Sequence, residues 1–154
     1  MAKKIKKQEI LPDPVFNNLM VSRFINCVMR KGKKTIAQRI IYGAFDRIKK
    51  QSGKEPLEIF GKALENVGPV VEVKPQRIGG ATYQVPREVK EKRKESLAMR
   101  WIIGAAKSKK GKTMEEKLAQ ELILAANNEG EAVKRRISVH RMAQANRAFA
   151  YLAR

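Results

Sequence analysis

The chain has 154 residues, with 34 Lys and Arg against 15 Asp and Glu, giving a formal net charge of +19. Its length and 43% apolar content fit one domain with a real core and exclude wholesale disorder. The charge excludes an acidic solvating protein and favours a polyanionic partner, while the lone Cys27 excludes an internal disulfide and a Cys-based zinc site and fits a reducing compartment.

Residues 1–12 read as a flexible basic arm carrying Lys3, Lys4, Lys6 and Lys7 and ending at Pro12-Asp13-Pro14. No apolar run of signal-peptide or membrane-spanning length follows, so the chain reads as cytosolic and soluble. Val21, Phe24, Ile25, Val28 and Met29 then recur with helical period, and Gly32 stops that helix. After the basic connector Arg30-Lys31-Gly32-Lys33-Lys34, a second helix runs from about Thr35, with Ile36, Ala37, Ile40, Ile41, Ala44, Phe45 and Ile48 in register. A third starts at Pro56, with the stripe Leu57, Phe60, Leu64 and Val67, and Gly68-Pro69 closes it.

Helical period vanishes over residues 70–90, where β-branched residues alternate around Gly79-Gly80. A Gly-Gly pair supplies the positive φ angles of a two-residue hairpin turn. That turn pairs Ile78 with Ala81, Gln76 with Tyr83, Lys74 with Val85 and Glu72 with Arg87, the last as a cross-strand ion pair. Pro75 and Pro86 then fall in non-hydrogen-bonded pairs, where a missing N–H is tolerated. A lone ribbon is barely stable in water and needs a support.

Three more helices follow. One carries Leu97, Ala98, Trp101, Ile102, Ala105 and Ala106 and ends in the basic loop Lys107–Lys112. Thr113 with Glu116 matches a capping box, continued by Met114, Leu118, Leu122, Ala125 and Ala126. The last helix opens near Glu131 and runs through Val133, Ile137 and His140 towards Phe149. The expectation is a mainly α, six-helix single domain over 1–154 with a protruding two-stranded antiparallel hairpin at about 70–90.

No residues converge as a catalytic, metal or phosphate-loop site, so neither an enzyme nor a cofactor is expected. His140 is in phase with Val133 and Ile137 and reads as structural, and Cys27 reads as a small hydrophobe beside an apolar face. The methionines, including Met142, read as core. The charge is segregated: residues 98–112 and 134–154 contain no acid, whereas residues 113–131 hold five Glu and only Lys117. Solubility alone would intersperse the signs. Dispersed basic loops suit an irregular folded RNA, with steeply salt-dependent phosphate contacts, and Tyr83 could stack on a base or pack across the ribbon. A DNA-binding helix-turn-helix protein and a membrane-surface protein remain alternatives, although no base-reading helix stands out and Trp101 and Phe45 lie in core phase.

The stretch Gly79-Gly80-Ala81-Thr82-Tyr83-Gln84-Val85-Pro86 resembles the hairpin signature of the bacterial small-subunit ribosomal protein seven family. So does His140-Arg141-Met142-Ala143-Gln144-Ala145-Asn146-Arg147-Ala148-Phe149-Ala150, and Ala98-Met99-Arg100-Trp101 and Gly32-Lys33-Lys34 follow the same pattern in the same order. The resemblance covers nearly the whole chain. It implies a six-helix domain with a protruding hairpin that binds the 3′ major domain of small-subunit rRNA and nucleates the subunit head. It also implies proximity to the exit-site tRNA and the mRNA path, with small-subunit proteins nine and eleven as neighbours and no membrane partner.

By position, the family's rRNA surface maps onto Lys3, Lys4, Lys6, Lys7, Arg30, Lys31, Lys33, Lys34, Lys74, Arg77, Lys107, Lys109, Lys110 and Lys112. The tRNA and mRNA side maps onto Gly79, Gly80, Tyr83, Arg141 and Arg147. Three positions depart from the pattern. Gln76 stands where members often carry a base, Ile137-Ser138-Val139 replaces a more polar segment, and the tail Tyr151-Leu152-Ala153-Arg154 is less aromatic.

Overall fold

The computed structural model describes residues 5–153. In chain order these form α1 (Leu19–Val28), α2 (Lys34–Ser52), α3 (Pro56–Val67), β1 (Val71–Ile78), β2 (Ala81–Glu88), α4 (Glu91–Ser108), α5 (Met114–Ala126), α6 (Glu131–Ala145) and a 3₁₀ segment, Arg147–Leu152.

Each helix begins and ends where its local chemistry allows. Asn18 Oδ1 accepts the Met20 and Val21 amides at 2.8 and 3.2 Å and so starts α1. Gly53, at φ 67°, ends α2, and Pro56 occupies the first turn of α3. Thr113 caps α5 through the Glu116 amide at 3.4 Å. Only half of the expected capping box forms, because the Glu116 carboxylate reaches across to Arg47 of α2 at 3.3 Å instead.

The apolar stripes meet around α5, which packs against α2, α3 and α4. Phe24, Phe45 and Phe60 are buried together, with ring centroids 5.0 Å apart for Phe24–Phe60 and 5.6 Å for Phe45–Phe60. Tertiary packing rotates several expected stripes. On α3 the buried side chains are Pro56, Ile59, Phe60, Ala63 and Val67, while Leu57 and Leu64 are only partly buried. Ile36, Ile137 and Met142 are exposed, at 47%, 45% and 51%, and so are not the core residues their phase predicts. Cys27 is likewise exposed, on the rim of a groove with Asn26, Ser96 and Met99.

The root of the basic arm is tied down. Ser22 Oγ donates to the Leu11 carbonyl at 2.7 Å. Asp13 is buried and accepts the Val15 and Phe16 amides and, at 2.6 Å, the Tyr42 hydroxyl. Burial, then the bond to the Asp13 carboxylate and its charge, pushes the Tyr42 phenol up to about 12.

The hairpin has the expected register, from Ile78↔Ala81 at the turn to Val71↔Glu88 at the base. Gly79 and Gly80 both have positive φ, at 56° and 87°, as a type I′ turn requires. The expected Glu72–Arg87 ion pair does not form. Arg87 donates to Gln76 Oε1 at 3.2 Å, and Glu72 is taken by Lys74 and by Arg93 of α4, each at 3.4 Å. Support comes from α6 and the C-terminal segment. Val70 donates its amide to His140 Nε2 at 3.1 Å, and the Tyr83 and Phe149 rings lie 5.3 Å apart. His140 is thus the hydrogen-bonded structural histidine expected, and Tyr83, opposite Gln76 across the ribbon, also meets Phe149 of the C-terminal segment.

Candidate nucleic-acid interface

Helix α4 organises the basic surface. Arg93, Arg100 and Lys107 are seven residues apart, two helical turns, so they form one stripe with steps of about 10 Å. All three are exposed. Arg93 meets Glu72 at the hairpin base. Arg100 stands beside Cys27 of α1: partial burial pushes that thiol up, and the Arg100 charge opposes the rise. Lys107 ends the stripe beside Arg30 of the α1–α2 connector. Burial first, and the Arg30 charge second, hold its ammonium below the ordinary lysine value.

This proximity brings together the two loops that the sequence singled out separately. Arg30, Lys31, Lys33 and Lys34 are exposed at the end of α1 and the start of α2, with Lys31 and Gly32 at φ 53° and 73° making the tight turn. Lys107 in the last turn of α4, and Lys110 and Lys112 on the α4–α5 loop, are exposed. None of these seven forms an ion pair among the described residues. Cations brought together without internal partners leave their hydrogen-bonding capacity for phosphate oxygens.

Lys109 is different. It lies in the same loop, but its ammonium turns inward to the buried Glu121 carboxylate at 2.9 Å. On the hairpin, Lys74 pairs with Glu72 at 3.4 Å, whereas Arg77 is exposed and has no ion pair among the described residues. Gly79 and Gly80 at the tip are exposed, as are Arg141 and Arg147. Tyr83 is half-buried, its ring tilted against Phe149. Lys6 and Lys7 are exposed on the arm; Lys3 and Lys4 lie outside the described residues.

Arg100 and Arg135, both outside the mapped set, extend the surface. Arg135 of α6 lies over the Trp101 ring at 5.9 Å and lines, with Arg100 and Gly104, a hollow of about 420 Å³ between α4 and α6. Their signal was present in the sequence, as arginines in acid-free runs, but only packing brings the two helices together. Among the described residues, no cluster of His, Cys, Asp and Glu could hold a metal ion, and no helix is long and apolar enough to cross a membrane.

The comparisons agree with one another. Residues 1–147 match the family model described as ribosomal protein S7p/S5e. The protein named small ribosomal subunit protein uS7 from Thermotoga maritima is 58% identical over 149 residues, covering 97% of this chain and 96% of the relative. Proteins of the same name from Anaeromyxobacter and Caldicellulosiruptor bescii are 56% and 58% identical, each covering at least 96% of this chain and at least 94% of the relative. The chain belongs to the ribosomal protein S7p/S5e family, and is a structural constituent of the small ribosomal subunit rather than an enzyme.

Proposed function

We propose that this protein binds the 3′ major domain of small-subunit rRNA directly and nucleates folding of the subunit head in the cytoplasmic ribosome. The observation that carries the reading is the set of seven exposed cations, Arg30, Lys31, Lys33, Lys34, Lys107, Lys110 and Lys112, that form no ion pair among the described residues, with Arg30 near enough for its charge to act on Lys107. The α4 stripe continues that set towards the hairpin. A rigid body with cations at fixed separations holds distant rRNA segments together, offsetting the RNA's ordering cost with phosphate contacts and counterion release. The hairpin tip, with Arg141 and Arg147, is turned towards exit-site tRNA and mRNA. Exposed Ile137, Met142 and Tyr151 suit neighbouring small-subunit proteins such as nine and eleven.

The test is binding to the isolated 3′ domain across salt, with unrelated structured RNA and duplex DNA as competitors. Tight binding that survives competition is expected. Lys33→Ala and Lys110→Ala should each flatten the log–log salt dependence by about one. Equal affinity for all three nucleic acids, or unchanged slopes in both variants, would falsify the reading.

A further inference from the structure

The α4–α5 loop holds a lysine that does not face solvent, and the residues around it explain why. Helix α6 begins at Gly130, whose φ of 93° and ψ of 175° suit only glycine, and no side chain there caps the helix. A Cβ on Gly130 would lie 2.8 Å from Glu121 Oε1 and 3.1 Å from the Leu124 Cβ, so Ser, Thr or Asp is sterically barred from the usual capping position. Glu121, fully buried on α5, performs the capping from another helix: its Oε1 accepts the Ala132 amide at 3.0 Å. A carboxylate at a helix N-terminus is favoured by the unsatisfied amides and the helix dipole. Buried there alone it would be costly, and Lys109 Nζ at 2.9 Å from Oε2 supplies the counter-charge.

We propose that Lys109 is a positioning residue and not a phosphate contact: with Glu121 it forms a buried latch that fixes the start of α6 to the basic α4–α5 loop. The latch ties two working parts of the molecule together. At one end are Lys107, Lys110 and Lys112. At the other is α6, which carries the His140 acceptor for Val70 at the hairpin base and leads to Phe149 against Tyr83. Arg136 secures the same helix by donating to the Asn66 carbonyl at 2.6 Å, and Asn66 in turn donates to the Ala125 and Ala126 carbonyls at the end of α5. The loop is thereby held at a set distance from α6 and the hairpin docked on it. The proposal deepens the rRNA reading, because it removes one lysine from the phosphate-binding set.

The experiment compares the full-length wild type with Lys109→Met, Glu121→Gln, the double variant and Lys110→Met. It uses thermal unfolding, amide exchange at Ala132, and salt titration of binding to the 3′-domain rRNA. Lys109→Met keeps the unbranched stem of the side chain but not its ammonium and strands a buried carboxylate, so its Tm falls by roughly 10 °C and Ala132 loses protection. Lys109→Met with Glu121→Gln recovers at least half of that loss, since a neutral amide oxygen still accepts the Ala132 N–H without needing a counter-charge. The salt slope of Lys109→Met matches wild type, whereas that of Lys110→Met falls by about one. A Lys109→Met protein that keeps its Tm and loses as much slope as Lys110→Met overturns the proposal; so does a double variant no more stable than Lys109→Met. If wild type itself shows no preference for the 3′ domain, the rRNA reading fails, and the stability cycle alone still decides the latch.

Discussion

Asp13 is buried where the basic arm joins the helices, and its three hydrogen bonds fix where the arm leaves the body. Tyr42→Phe removes the bond to a charged acceptor and should cost about 1.5–3 kcal/mol at neutral pH, read as a lower urea midpoint. The folded Tyr42 phenol is raised to about 12 from 10.0, so its contribution is complete below pH 10.0 and is lost as pH rises through about 12. The gap between wild type and Tyr42→Phe should therefore narrow at the alkaline end; a constant gap would refute the assignment. Two glycines show how local geometry sets the sign of one change. At Gly43 of α2 an added Cβ would meet the Glu115 carboxylate at 2.5 Å, but that is the far end of a partly exposed side chain, held by Arg47 only at 3.9 Å, which can swing aside. Gly43→Ala should be neutral or stabilising by up to about 1 kcal/mol through helix propensity. Gly130→Ala meets the buried Glu121 at a backbone angle alanine rarely adopts, and should cost on the order of 2–4 kcal/mol. Chemical denaturation of both variants measures the contrast.

The hairpin shows what a sequence carries and what it does not. Its register is local information: a Gly-Gly turn fixes which residues oppose one another, and two prolines are compatible with only one alternation of hydrogen-bonded pairs. The partners of its charged side chains are not local. Glu72 was free to choose between Arg87 across the ribbon and Arg93 on α4, and the packing of α4 decided for Arg93, with Lys74 as second partner. The same holds for the helices. Their existence followed from apolar period and end signals, but the buried face of α3 and the exposure of Ile137 and Met142 depend on neighbours far along the chain. The docking of the ribbon is also titratable. His140 accepts the Val70 amide only when Nε2 is unprotonated. Burial, then Arg136, lowers its pKa below 6.5, so this anchor is complete above pH 6.5 and is lost as pH falls through the lower folded value. Acidification should open the hairpin base, read as faster exchange at Val70 than the intrinsic pH dependence allows. His140→Gln, which presents an acceptor at every pH, should abolish that extra term.

Across the molecule, the charge that serves binding works against folding. Basic runs are visible in the sequence as composition, but their convergence is not, because Arg30 and Lys107 are 77 residues apart and meet only when α1, α2, α4 and α5 pack. The sequence also cannot tell an outward lysine from an inward one: Lys109 and Lys110 are adjacent, yet one pairs with Glu121 and the other is exposed. Where like charges meet without acids, each is repelled in the free protein and neutralised on a polyanion. Lys107 feels this most clearly, since burial and Arg30 both disfavour its charged form. Lys107→Gln should therefore act in opposite directions on stability and binding. The free protein should gain a small Tm increment, on the order of 1 °C because the group is largely exposed and screened. Its binding to the 3′-domain rRNA should weaken, with the salt slope reduced by about one. Raising the ionic strength should shrink the Tm gain without abolishing it, since screening relieves the Arg30 repulsion in the wild type but not the larger penalty of burial. A Lys107→Gln protein that is less stable and binds as tightly as wild type would mean that the ammonium has an internal partner and that the converged end is structural.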